Sequence, residues 1–148
     1  MKTSPQGLTL IRQFEGIRLA AYQDSAGVWT IGVGHTLTGF TRVKEGDTCT
    51  EEQAADWLVG DVEQAESCIN SLVKVPLSQN QYDALVSFIF NLGCRAFSTS
   101  TLLRNLNGGS YTLAADQFPR WDNVAGKASA GLLKRRIAEQ DLFTQENA

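Results

Sequence analysis

Between Gly16 and Thr50 the chain changes its hydrophobic period from that of a helix to that of a strand and then back again. A chain with that pattern cannot be a plain helical bundle or an all-β sandwich, and the expected class is α+β. The first helix is bounded by Ser4 as N-cap, Pro5 at the first helical position and Gly16 after the last turn. Leu8, Ile11 and Glu15 fall at i, i+3 and i+7, which sets the Glu15 carboxylate on the stripe that packs inward. The following stretch, residues 17–36, has the form of a β-hairpin, with a turn at Asp24-Ser25-Ala26-Gly27 and a strand from Val28. Strict alternation puts Val28, Thr30, Gly32 and Gly34 on one face, and Trp29, Ile31, Val33 and His35 on the other. The two glycines would leave the face of Thr30 bare, open to the close approach of a ligand.

From Thr50 the helical period dominates. Thr50-Glu51-Glu52-Gln53 has the form of a capping box and predicts a long helix to about residue 73. Its six acids read as a solvated face. Ser78 with Gln81 opens a nearly continuous apolar helix closed by Gly93, which is expected to be the centre of a helical lobe. Helices over about 99–106, 111–121 (after Ser110) and 132–144 (after Ser129) complete the pattern.

The charge balance excludes some functions. The net charge of −3 is split as ten acids against six Lys/Arg in residues 1–74, and six against seven in residues 75–148. Nucleic acid is therefore not an expected partner, because a phosphate-binding domain carries a clear basic excess. No apolar run approaches the ~18 residues of a membrane helix, and the N-terminal stretch resembles neither a signal peptide nor an anchor. The chain is thus expected to begin in a cytoplasm. Cys49, Cys68 and Cys94 are widely spaced and odd in number, and His35 is the sole histidine. Too few ligands exist for a zinc site of the usual kind, so no metal and no cofactor is expected. A Cys–His nucleophile is formally possible, but buried inert thiols are the preferred reading.

Glycoside hydrolysis needs one carboxyl group that donates a proton to the leaving oxygen and a second, ionised one across the sugar. Glu15, ending a helix on its apolar side, fits the first role; Asp24, in a polar turn, fits the second. Thr30 lies six residues after Asp24, where a hydroxyl could hold water. Each has an ordinary alternative: an inward acid can pair with an arginine, and a turn aspartate usually bonds its own backbone.

The stretch FEGIRLAAYQDSAGVWTIGVGHT resembles the signature of the phage-type lysozymes, with Glu-x8-Asp-x5-Thr at Glu15, Asp24 and Thr30. The resemblance continues through NQYDALVSFIFNLG, AFSTSTLLRNLN and GLLKRRIAEQDLF, covering nearly the whole chain, and is nearest to the endolysins of lambdoid phages. It implies one lysozyme domain over 1–148. A small lobe (about 15–50) with a β-hairpin would be joined by a long helix (about 51–73) to a larger helical lobe (about 74–148, with helix 4–15). The active-site cleft would run between the lobes.

The implied activity is hydrolysis of the β-1,4 bond between N-acetylmuramic acid and N-acetylglucosamine in peptidoglycan, with inversion, for host cell lysis. Glu15 would be the general acid, with Asp24 and Thr30 positioning the water. Thr36, Phe90 and Ser100 match saccharide-lining positions, although Phe90 could equally be core. His35 matches a structural histidine, and Arg135 or Arg136 could pair with Glu15. The expected partner is the glycan strand, met by a monomer that has no membrane anchor. It would wait in the host cytoplasm until release to the wall. Arg95, Arg104, Lys134, Arg135 and Arg136 are candidates for a basic patch that captures murein. A lytic transglycosylase, which works with a lone Glu, and a glycan-binding module that has lost catalysis are the alternatives; intact Asp24 and Thr30 disfavour both.

Overall fold

A computed structural model describes residues 1–38, 41–124 and 126–146. The chain falls into two compact units, residues 8–63 and residues 1–7 with 64–148. The division runs within helix α1 (Pro5–Glu15) and beside a break at Val62. Ser4 caps α1 as its residue type suggests, accepting from the Gly7 N–H at 3.3 Å.

In the first unit, β1 (Arg18–Gln23) and β2 (Trp29–Gly32) form the expected antiparallel hairpin, with Tyr22 opposite Thr30. A second, two-residue hairpin joins β3 (Leu37–Thr38) to β4 (Thr41–Arg42). Helix α2 (Glu51–Asp61) packs against β2, and its capping box between Thr50 and Gln53 forms as expected. Ile31, Val33, Val43, Ala54 and Leu58 are buried here.

Alternation along β2 does not run on to His35. The strand stops at Gly32, and Ile31 and His35 exchange both backbone hydrogen bonds across a tight turn, at 2.8 and 2.9 Å. Gly32 and Gly34 both have positive φ, +66° and +67°, so the turn itself demands glycine. Nor is the place beside Gly32 bare. A Cβ there would come within 3.1 Å of the Ala54 Cβ, so α2 occupies the space that the sequence suggested for a ligand.

The single helix expected from 51 to 73 is two helices. Gly60, a poor helix former, lies in the last turn of α2; α3 (Glu63–Leu72) starts after Val62.

The second unit is built on α4 (Gln79–Leu92), whose residues Tyr82 through Ile89 are all buried. Ser78 and Gln81 form its capping box. Around it stand α5 (Cys94–Ser98), α6 (Thr101–Asn107), α7 (Tyr111–Ala115), a 3-10 turn at Phe118–Arg120 and α8 (Ala130–Thr144), with α8 packed along α4. Phe88 meets Phe97, Phe118 and Trp121 edge to face, with ring centroids 6.3, 5.4 and 5.6 Å away. The helix expected over 111–121 ends at Ala115, and Pro119 lies in the 3-10 turn. A short hairpin of β5 (Asn123–Val124) and β6 (Lys127–Ala128), unforeseen from sequence, precedes α8.

Two expectations are corrected in this unit. Cys68 and Cys94 are not inert thiols: they form a disulfide between α3 and the start of α5, leaving Cys49 as the free cysteine. Their separation of 26 residues concealed a pairing that only the packing of the two helices creates. Closing a loop of that size should contribute about 3–4 kcal/mol by restricting the unfolded chain. Urea unfolding with and without reductant reads that difference, and an unchanged midpoint would assign the disulfide no stabilising role. Secondly, Arg135 and Arg136 cannot belong to a surface patch, being 4% and 0% exposed. Of the five candidates, Arg95, Arg104 and Lys134 remain exposed.

Candidate active site

Glu15, Asp24, Thr30 and Thr36 all fall within the unit of residues 8–63. Glu15 is the last residue of α1 and is half-buried. Gly16 follows at φ +76°, its N–H bonded to the Arg12 carbonyl at 2.9 Å, so the chain turns immediately after the carboxylate.

Asp24 closes the hairpin turn. Its N–H donates to the Val28 carbonyl, and its Oδ1 accepts from the N–H groups of Ala26 (2.8 Å) and Val28 (2.9 Å). This is the backbone-bonding role an aspartate takes in a turn, yet it uses only one carboxylate oxygen. Oδ2 has no hydrogen-bond partner among the described residues. Thr30 stands opposite Tyr22 in the hairpin and is 4% exposed. Its hydroxyl donates to the Val28 carbonyl at 2.9 Å. The backbone of Val28 therefore holds both Asp24 and Thr30. Sequence reasoning missed this residue, because any side chain leaves the same N–H and C=O and no residue type signals the role.

His35 is packed rather than presented. Its Nδ1 lies 2.7 Å from Asp61 Oδ2 and its ring stacks on Trp57, with centroids 4.4 Å apart. Burial pushes the Asp61 carboxyl above its ordinary range, and the histidine contact partly offsets the shift. Thr36, just beyond, is half-buried, and its carbonyl accepts from the Val43 N–H at 3.0 Å.

Phe90 and Ser100 belong to the other unit. Phe90 is half-buried where the continuous burial of α4 ends. Ser100 is 5% exposed and caps α6: its hydroxyl donates to the Phe97 carbonyl at 2.7 Å and accepts from the Leu103 N–H at 3.0 Å. Among the described residues no three His, Cys, Asp or Glu side chains gather as a metal site. No helix there is long and apolar enough to cross a membrane.

Comparison with known proteins extends these observations. The family model for phage lysozyme matches residues 12–139. An endolysin of Acyrthosiphon pisum secondary endosymbiont phage 1 is 48% identical over 147 residues, covering 97% of this chain and 98% of that protein. Among solved structures, a point mutant of P22 lysozyme superposes with a TM-score of 0.90 at 46% identity, over 98% of this chain and 99% of the other. The muramidase domain of SpmX from Asticaccaulis excentricus does so with a TM-score of 0.90 at 41% identity, over 98% and 99%. A family match across most of the length, with fold and sequence agreeing along both chains, makes this protein a member of the phage lysozyme family and a glycoside hydrolase of the lysozyme type.

Proposed function

We propose that the chain hydrolyses the β-1,4 bond between N-acetylmuramic acid and N-acetylglucosamine of peptidoglycan, with inversion at the anomeric carbon. Glu15 is the general acid, and Asp24 with Thr30 holds the attacking water. The observation that carries the reading is the shared anchor at Val28. The Thr30 hydroxyl spends its one hydrogen on the Val28 carbonyl, so towards a water it can only accept. Asp24 Oδ2 can likewise only accept when ionised. A water between them donates both hydrogens to the protein, which turns its lone pair outward to the sugar and leaves Asp24 to take the proton. The slight exposure of Thr30 favours one held water over bulk solvent.

Supporting the bond assignment are the family membership and the name of the similar muramidase domain. The curated relatives named endolysin support a role in host lysis. As part of the same proposal, the enzyme waits in the host cytoplasm as a monomer and reaches the wall at lysis. Thr36 and Phe90, each within its own unit, keep half-exposed side chains that are free to meet a saccharide. Ser100 retains one lone pair beyond its capping bonds.

Digestion of purified murein tests the reaction directly. Each cut is expected to add one water to the muropeptide mass, and NMR is expected to record the α-anomer first. An anhydro product or an initial β-anomer would overturn the reading. Thr30→Val keeps the shape and removes the acceptor, so kcat is expected to fall about 10²-fold from the misplaced water, while Thr30→Ser retains most activity. Equal activity of the two variants would remove Thr30 from the mechanism.

A further inference from the structure

A cavity of about 330 Å³ opens within the unit of residues 8–63, lined by Val28, Trp29, Thr36, Leu37, Arg42 and Val43. Two features set it apart from an ordinary surface hollow. One wall is the segment through Val28 and Trp29, and Val28 is the residue whose backbone holds Asp24 and Thr30. The cavity thus borders the residue that anchors both proposed water-holding side chains. The second feature is Arg42 on β4, paired with Leu37 of β3. Its guanidinium makes no hydrogen bond or ion pair among the described residues, although the chain as a whole carries a net charge of −3. An exposed arginine without a partner is common; one lining a pocket of mixed polar and apolar surface beside a half-buried tryptophan is suited to a specific ligand.

The ligand chemistry follows from the lining. Trp29, Val28, Leu37 and Val43 offer apolar contact, and Arg42 offers a planar fork of donors that fits a carboxylate. Pockets for small ligands run from roughly 300 to 1,000 Å³, so this one suits a short branch better than a further stretch of glycan strand. Peptidoglycan carries such a branch: the lactyl group of muramic acid bears a short peptide with methyl side chains and free carboxylates. We infer that this pocket binds the anionic stem peptide of the substrate, with Arg42 as the residue that recognises its carboxylate. The inference rests on the assignment of Asp24 and Thr30 as the water-holding pair. It makes Arg42 a specificity residue, acting on substrate capture and not on the chemical step.

Initial rates on soluble glycan strands with their stems, and on the same strands stripped by an amidase, separate the two contributions. Arg42→Ala is expected to raise KM about three- to tenfold on stem-bearing strands, with kcat within about twofold. Stripping the stems should raise the wild-type KM by a similar factor, and the substitution should then have no further effect. Arg42→Lys recovers part of the loss, since it keeps the charge without the fork. Titration with muramyl dipeptide should shift the amide resonances of Trp29 and Val43 in the wild type, and far less in Arg42→Ala. An equal KM effect on stripped and stem-bearing strands, or no effect on either, overturns the assignment, as does an Arg42-independent titration. Product masses from the same digests report on the reaction separately. Anhydro ends would sink the hydrolytic mechanism together with the premise on which the inference rests, whereas hydrolytic products with a stem-independent KM would sink the stem pocket alone.

Discussion

Glu15→Gln is expected to leave a folded protein that clears permeabilised cells at least 10²-fold more slowly, the range for loss of a general acid being roughly 10²–10⁴. Glutamine has nearly the same shape as glutamate and can still hydrogen-bond at the end of α1, so unfolding free energy should move by about 1 kcal/mol or less. What it cannot do is deliver a proton to the departing sugar oxygen. The loss should fall on kcat and kcat/KM together, because proton donation strengthens only in the transition state. A lytic transglycosylase would be equally sensitive at its lone glutamate, so Asp24→Asn is the companion measurement. In a hydrolase, weakening the acceptor that takes the water's proton should cost about 10²-fold as well. In a transglycosylase it should cost little. Activity of Glu15→Gln within about tenfold of wild type would remove the residue from the acid role.

Features that depend on neighbours in the chain were legible, and features that depend on packing were not. Thr50 with Gln53, Ser78 with Gln81, Ser110 and Ser129 all cap helices as read, because a cap is a contact across three residues of sequence. Asp24 was likewise read as a turn residue, and its carboxylate does bond the backbone of its own turn. Gly32 was misread because a glycine answers two different needs, a positive φ or the absence of a Cβ, and one sequence does not say which. The Cys68–Cys94 bond depends on where α3 and α5 meet. Arg135 and Arg136 did carry a signal that went unused: Glu139 lies at i+4 from one and i+3 from the other, a spacing that lets one carboxylate serve both. The hold of Val28 on both Asp24 and Thr30 had no signal at all, since it is made by backbone alone.

Arg136→Ala is expected to produce the largest loss of stability, about 3–5 kcal/mol, because it removes one of the two cations that compensate a buried carboxylate. Arg136 and Glu139 are both 0% exposed on α8, with Arg136 Nη1 3.0 Å from Glu139 Oε1. Arg136 also donates to Asn91 Oδ1 and lies 5.1 Å from the centre of the Phe88 ring. Arg135 approaches Glu139 Oε2 at 3.3 Å and donates to the Ser87 carbonyl at 3.2 Å, while the Ser87 hydroxyl donates to Glu139. Burial pushes the Glu139 carboxyl above its ordinary value, and the two arginines hold the shift back. The sign with pH follows. Between the ordinary carboxyl range and the raised value, the folded protein binds more protons at Glu139 than the unfolded chain, so this group's contribution to stability falls as pH rises. Removing Arg136 takes away part of what opposes the shift. The deficit of Arg136→Ala should therefore be smallest in the ordinary carboxyl range and grow as pH rises above it. In a Glu139→Gln background, which carries no charge to strand, the same substitution should cost less, and urea unfolding of the four proteins measures the coupling. A penalty that does not vary with pH and persists in the Glu139→Gln background would assign the loss to the other contacts of Arg136, those with Asn91 and Phe88 among them, instead of to the charge on Glu139.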